Sequence, residues 1–339
     1  MKALVYTGPE KVEIQAVPDP QVREGEVLLK VGAAGICGSD IHGFLGHSER
    51  RKPGLVMGHE TVATILELDP AVRGWRKGQR VCFNPLVSCM KCGACAAGRQ
   101  NLCTGWWLFG MDRVHGTYAE YVSVPASQLH PLSDALTDKE AILVEPLANI
   151  CHFFRISMDG VPDTMAVWGG GTIGALALVL AKLRGISRVI VVDTNEGRLE
   201  VARKLGADVV VNARTEDPVK AVRGHTEGLG AEYVVETAGI EPARRAAVAA
   251  GRRGGRVLFI GMAQNDSALP WVEMIRNEQA IFTTFAYAPR DFATSLRLIE
   301  SRQFDLASWT DALPLERGQE GFMKMTHAPG PTLKLMFTV

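Results

Sequence analysis

Apolar and polar positions alternate with a period of two through the first third of the chain. The runs KALVY (2–6), EVLLKVG (26–32), TVATILEL (61–68), RVCFN (80–84) and YAEYVSV (118–124) are short and bounded by Pro, Gly or charged turns. Runs of this kind predict half-buried strands. Together they predict a compact, mostly β domain over residues 1–150.

The rhythm changes at TMAVWGGGTIGALALVLAKLRG (164–185), where an apolar strand runs into a glycine turn and then an apolar helix, followed by the strand SRVIVVD (187–193). This is a βαβ unit. The runs ADVVVNA, AEYVVETAG and GRVLFIGM recur with room between them for helices such as GRLEVARKLG and PARRAAVAAG, so the pattern predicts a doubly wound parallel sheet over residues 151–287. After IFTTFAY, a helical stretch PRDFATSLRLIES and a terminal strand TLKLMFTV predict a segment, 288–339, that returns to the first domain. The fold class read from this pattern is α/β.

At 339 residues the chain is long enough for two domains. Its 37 basic and 37 acidic residues cancel and its pI is about 7.1, which argues against nucleic acid or an anionic membrane as partner. No run is long and apolar enough to predict a membrane span, and MKALVYTGPEK lacks a signal-peptide core. The expectation is a cytoplasmic protein whose ligand is a small molecule.

Four of the seven cysteines crowd into CMKCGACAAGRQNLC, where Cys89, Cys92, Cys95 and Cys103 follow the spacing C-x2-C-x2-C-x7-C. Four thiolates suit a closed, structural Zn²⁺ site, and residues 89–103 are predicted to form a lobe folded around the ion. Cys82 and Cys151 match no ligand spacing and read as small buried hydrophobes.

In WGGGTIG, Gly169, Gly171 and Gly174 give G-x-G-x-x-G with Thr172 and Ile173 between the last two glycines. The turn follows a strand and opens a helix, and Asp193 closes the next strand 19 residues after Gly174. That context predicts a dinucleotide site in which the pyrophosphate meets the helix N-terminus and Asp193 meets the ribose diol. Asp193 favours NAD over NADP, while Arg198 has two readings, a partner for a 2′-phosphate or a solvated helix residue.

Cys37 in CGSDIH and His59 and Glu60 in GHE offer one soft and two harder ligands of the kind Zn²⁺ accepts. A catalytic zinc takes three protein ligands and keeps a position for water or substrate, and Glu145 in LVEPLAN is a further candidate. Across GICGSDIH, GHE, the cysteine lobe, HGTYAEYV, VEPLA, GGGTIG with Asp193, and GRLEVARKLGAD, the sequence resembles the zinc-dependent medium-chain alcohol dehydrogenase family over essentially its full length. Glu60 after His59, and Glu145 in place of a cysteine, resemble the polyol (sorbitol-like) and threonine dehydrogenase branch. Gln79 in GQRV stands where the family often has an acid.

The resemblance implies a GroES-like catalytic domain, a Rossmann domain, two zincs per chain (one catalytic, one structural) and NAD-linked oxidation of an alcohol, with NADP the lesser expectation. Carried onto this chain, the catalytic ligands are Cys37 and His59 with Glu60, Glu145 or both. Ser39, two residues beyond Cys37, is placed to relay the released proton, with His42 as a next stage or a packing histidine. Asp40 has two readings, orienting a ligating imidazole or capping a turn.

Between the two ligand segments, FLGHSERRKP (44–53) carries Phe44, His47, Arg50 and Arg51, which either shape the substrate pocket or form a solvated loop. An arginine pair there would suit an anionic substrate. GWWLFGM (105–111) reads as a cleft lining or a subunit contact. The leading expectation is oxidation of a secondary alcohol in a polyol, sugar acid or related metabolite by a homodimer or homotetramer. The alternatives are a threonine or amino-alcohol 3-dehydrogenase and a zinc-stabilised nucleotide-binding protein without turnover.

Overall fold

The computed structural model describes residues 1–339. They form two compact units, Met1–Ala148 with Ala286–Val339, and Asn149–Phe285. No helix is long and apolar enough to cross a membrane.

In the first unit, a seven-stranded sheet runs in the order Thr310–Pro314, Lys334–Thr338, Glu26–Gly35, Glu60–Leu68, Arg80–Phe83 and Leu129–Pro131, with Tyr121–Pro125 also paired to Glu26–Gly35. Each run read as a strand in the first 125 residues is one. Lys2–Gly8 lies outside this sheet and forms a hairpin with Lys11–Ala16, a strand whose half-exposed, charged alternation gave little sequence signal. The terminal strand Lys334–Thr338 lies antiparallel against Glu26–Gly35. Leu29, Val31, Ile65, Val81, Phe83, Phe322 and Phe337 are among the side chains that close the core.

The second unit is a six-stranded parallel sheet in the order Val209–Asn212, Arg188–Asp193, Thr164–Trp168, Ala231–Glu236, Gly251–Phe259 and Ala280–Thr283. Strand order reverses between Thr164–Trp168 and Ala231–Glu236. That reversal is where doubly wound sheets bind ligands at their carboxyl edge. The helix Thr172–Leu183 buries Gly174 through Ala181, which is why TIGALALVLAKL is apolar on almost every face.

One tight backbone crossing in the first unit sets the stage for chemistry. Gly116 N–H donates to Val56 O at 2.7 Å, Tyr118 N–H to Met57 O at 3.0 Å and Thr117 N–H to Gly58 O at 3.0 Å. The segment HGTY thus clamps the chain immediately before His59. The clamp needs glycine on both sides: Gly58 has φ +95°, and a Cβ on Gly116 would stand 2.2 Å from Gly58 O and 2.5 Å from Met57 O. Gly116→Ala is therefore expected to lower stability by about 1–3 kcal/mol, since backbone, unlike a side-chain tip, has nowhere to move. Gly224→Ala, with open space around it, should be neutral or mildly stabilising. Urea unfolding of both variants checks the pair.

Candidate active site

The strand Glu26–Gly35 ends two residues before Cys37, and Cys37 is the N-cap of the helix Gly38–Phe44, with extended backbone (φ −86°, ψ 154°). Gly35 faces Glu60 in the antiparallel register with the neighbouring strand. That register brings His59 and Glu60 beside Cys37, although 22 positions separate Cys37 from His59 in the sequence.

Asp40 is the hub of this cluster and is fully buried. Its Oδ2 accepts from Cys37 N–H at 3.2 Å and from the Tyr118 hydroxyl at 2.9 Å, and its Oδ1 accepts from Arg51 Nη2 at 3.1 Å. Oδ1 also lies 3.6 Å from His59 Nδ1. Both sequence readings of Asp40 meet here, since it caps the helix and faces the imidazole. Burial alone would raise its pKa, but His59 and Arg51 outweigh burial and hold the carboxyl below its usual range.

His59 is 4% exposed, and its Nδ1 is buried with no hydrogen-bond partner. Burial disfavours the imidazolium, yet Asp40 and Cys37, with Glu145 adding, raise its pKa to about 10. Nδ1 faces Asp40 Oδ1, and the thiol and carboxylates around the ring make it a place that draws positive charge. The donor set of one sulfur, one imidazole and carboxylate oxygen fits Zn²⁺.

The two glutamates have different surroundings. Glu60 is fully buried, and both its oxygens accept from Lys334 Nζ at 2.7 Å. Glu145, in the first turn of the helix Val144–Ser157, accepts from the Tyr287 hydroxyl at 2.8 Å through Oε1. Burial raises the Glu145 pKa, Glu60 adds to the rise, and His59 opposes it.

Ser39 and His42 occupy positions i and i+3 of one helix, so they share a face. Ser39 Oγ accepts from Arg51 Nη2 at 3.1 Å, and the His42 ring meets that of His47 edge to face at 5.4 Å. Phe44 is a core residue stacked 4.8 Å from Phe322. The arginine pair is committed within the chain. Arg51 is buried against Asp40 and Ser39, while Arg50 makes two-pronged contact with Asp112 and lies 4.3 Å over the Trp106 ring. Each guanidinium of the pair thus has a carboxylate partner within the chain.

The four clustered cysteines converge as their spacing predicts, with all Sγ atoms within 4.8 Å of one another. Zinc–sulfur bonds of about 2.3 Å need sulfurs slightly closer, and Cys92 and Cys95 are 3.5 Å apart. Cys89 N–H and Gly105 N–H each point at Cys103 Sγ at 3.3 Å. The Cys95 N–H and thiol pull Cys92 down to about 6. Such donors stabilise thiolates, so the lobe fits a structural Zn²⁺. Cys82 and Cys151 are buried, and burial pushes the Cys82 thiol up.

At the glycine turn, Gly169 has φ +99° and packs so closely on Thr237 that a Cβ would stand 2.4 Å from its hydroxyl oxygen. A Cβ on Gly174 would stand 1.8 Å from Gly169 O, so both positions require glycine. Gly171 caps the helix that Thr172, Ile173 and Gly174 begin, and helix starts present backbone N–H groups to anions. Asp193 Oδ2 accepts from Gly170 N–H at 2.6 Å and Oδ1 from Asn195 N–H at 2.7 Å, fixing the carboxylate beside the turn. Arg198 Nη1 lies 4.0 Å from Asp193 and its guanidinium lies 3.8 Å from a Cβ built on Gly171. The turn, the acid and the arginine lie together in one cluster.

Sequence reasoning missed Lys334, Tyr118 and Tyr287 as parts of the site. Lys334 did leave a trace, as the one charge inside the apolar run TLKLMFTV.

Residues 23–134 match the family described as alcohol dehydrogenase GroES-like domain, and residues 172–301 match zinc-binding dehydrogenase. The sorbitol dehydrogenase of Bacillus subtilis is 32% identical over 99% of this chain and 96% of its own length. An L-threonine 3-dehydrogenase of Chelativorans is 35% identical over 81% of this chain and 80% of its own. Among solved structures, an Escherichia coli oxidoreductase/dehydrogenase of unknown specificity, involved in membrane biogenesis, superimposes with a TM-score of 0.93. It is 30% identical, over 99% of this chain and 98% of that one. Both domain matches fall in order on one chain, and a relative aligns from end to end. The chain therefore belongs to the zinc-dependent medium-chain alcohol dehydrogenase family, in its polyol and threonine dehydrogenase branch.

Proposed function

We propose that this dehydrogenase oxidises a secondary hydroxyl of a neutral polyol or related small metabolite, using NAD and one zinc held by Cys37, His59 and Glu145. The observation that carries the assignment of the centre is the buried His59 imidazole set among Asp40, Cys37 and Glu145, which together raise its pKa to about 10. A second zinc, on Cys89, Cys92, Cys95 and Cys103, holds the lobe together. When bound, the first zinc supplies Lewis acidity toward a hydroxyl oxygen and NAD supplies the hydride acceptor.

The remaining work falls to the chain's own side chains. Loss of a hydride from a secondary alcohol gives a ketone and leaves one proton to remove. Ser39 Oγ, held in place by Arg51, takes that proton while its own hydroxyl proton passes on toward His42, one helical turn away. Asp40, fixed by Cys37, Arg51 and Tyr118, holds the His59 ring in one orientation, as carboxylates behind ligating histidines do.

The committed state of Arg50 and Arg51 supports a neutral substrate over a sugar acid. Relatives named for sorbitol and for L-threonine define the comparison. A panel of polyols, sugar acids and threonine, read by NADH absorbance, is expected to give turnover on neutral polyols. Activity on threonine alone would overturn the substrate reading. Metal analysis should find two zincs per chain, and Cys37→Ser should lose one of them together with turnover. One zinc in the parent protein would point to nucleotide binding without catalysis.

Cofactor choice rests on Asp193, whose carboxylate is locked by two backbone N–H groups and repels a 2′-phosphate. Asp193→Ala leaves Arg198 as the dominant charge at this position. It is expected to shift the ratio of kcat/KM for NADP over NAD upward by about tenfold or more, a change of about 1.4 kcal/mol.

We further propose a cytoplasmic homo-oligomer. Trp271, Val272 and Ile275 are 59%, 62% and 73% exposed on the helix Trp271–Arg276, and the strand Ala280–Thr283 is the edge of its sheet. An apolar helix face beside an open edge favours a partner. Ile275→Asp is expected to lower the mass measured by light scattering relative to the parent chain.

A further inference from the structure

The peptide unit joining Gly169 to Gly170 is held from both sides by side chains of neighbouring strands. Gly170 N–H donates to Asp193 Oδ2 at 2.6 Å, and Gly169 O accepts from the Thr237 hydroxyl at 3.1 Å. Asp193 ends the strand Arg188–Asp193, and Thr237 follows Ala231–Glu236, the two strands that flank Thr164–Trp168. The hydroxyl also lies 2.9 Å from Trp168 O, but that oxygen already accepts from Thr237 N–H at 2.8 Å. The bond that only the hydroxyl supplies is the one to Gly169.

The place of Thr237 depends on the residue before it. Glu236 has no exposed surface, and its Oε1 accepts from Gly239 N–H at 2.7 Å. Burial raises its pKa, and the Gly239 and Ala238 N–H groups and Arg244 oppose the rise without cancelling it. A carboxyl is a costly group to bury where an apolar side chain would fill the space, and what it does here is hold the turn 237–239 from beneath. The loop after Gly251–Phe259 holds the same turn from the side. Gln264 N–H donates to Gly239 O at 2.8 Å, and a Cβ on Gly261 would stand 2.2 Å from Gly239 N.

We propose that Thr237, seated by the Glu236 carboxyl, is a positioning residue of the dinucleotide site, fixing the Gly169–Gly170 peptide in the orientation that a bound pyrophosphate requires. The proposal rests on the dinucleotide reading of the glycine turn and goes beyond it in giving a task to a strand outside the glycine motif. A carbonyl oxygen carries partial negative charge, and a glycine peptide free to rotate would turn that oxygen toward a diphosphate in some of its conformers. With the Gly169 carbonyl tied to Thr237, the N–H groups that open the helix Thr172–Leu183 remain the partners for an anion.

The test measures NADH binding to the full-length protein by nucleotide fluorescence, with thermal melting run alongside. If the parent protein binds no NADH, the dinucleotide reading is wrong and this inference falls with it. Given parent binding, Thr237→Val, which keeps the shape and removes the hydroxyl, should raise the Kd about tenfold, the scale of one lost hydrogen bond. Thr237→Ser should restore most of the affinity. Glu236→Leu should weaken NADH to a similar degree, while Glu236→Gln, which still offers an oxygen to Gly239 N–H, should bind close to the parent. The double variant Thr237→Val/Glu236→Leu should bind about as well as the weaker single variant, because both act through one peptide.

A residue with only a structural task would lower the melting temperature in Thr237→Val and leave the Kd for NADH at the parent value. That outcome overturns the inference and leaves the cofactor reading standing. Additive losses in the double variant also overturn it, since Glu236 would then act by a route that bypasses Thr237. Should Glu236→Leu fail to fold, the contrast between Thr237→Val and Thr237→Ser decides alone.

Discussion

The Asp40 carboxylate is the constraint on which the first unit is built. A fully buried carboxylate costs several kcal/mol unless its lone pairs find donors, and the donors here come from three places, Cys37 N–H, Arg51 and the Tyr118 hydroxyl, with the His59 ring 3.6 Å away. Satisfying one side chain therefore fixes the helix start, the loop that follows it, the HGTY segment and the GHE turn. The same act aims Cys37 and His59 at one another. Stability and site geometry are one requirement, because a carboxylate left without any of these partners would be both costly to bury and unable to orient the imidazole.

Buried charge in this unit is compensated locally, pair by pair. Asp40 has Arg51, and Glu60 has Lys334. Arg50, nearer the surface, has Asp112 and the face of Trp106. The lesson for substrate follows from this pairing. A basic residue beside a metal site is an anion receptor only if its charge is not already spent, and the sequence RR says nothing about where the partner acids will lie. Asp40 and Asp112 are 11 and 62 positions away from Arg51 and Arg50.

What could be read from the chain, and what could not, divides along the same line. Strand alternation in EVLLKVG or TVATILEL, the apolar strand and glycine turn of TMAVWGGG, and the cysteine spacing at 89–103 are local patterns, and local physics imposes them. The hairpin strand Lys11–Ala16 and the helix Gly318–His327 escaped notice because their exposed faces dilute the pattern. Lys334 was visible as an oddity in an apolar run, but its meaning depends on Glu60, 274 residues earlier. No periodicity carries information over that distance. Tyr287 on Glu145 and Tyr118 on Asp40 are of the same kind, aromatic residues that read as core until the hydroxyl finds its acceptor.

Glycine shows how the two kinds of information join. Gly35 sits at the end of a strand, and Gly169 and Gly174 sit in a turn where sequence suggests phosphate. In both places the structure gives a steric reason, a carboxylate head at 35 and a backbone carbonyl at 174. The dinucleotide turn is recognisable in sequence because a Cβ there would meet nearby backbone or Thr237, while the Gly35 cradle is not, because its occupant comes from another strand. A glycine beside a ligand segment is therefore worth asking what fills the space it leaves, and at Gly35 the answer is the acid that Lys334 holds.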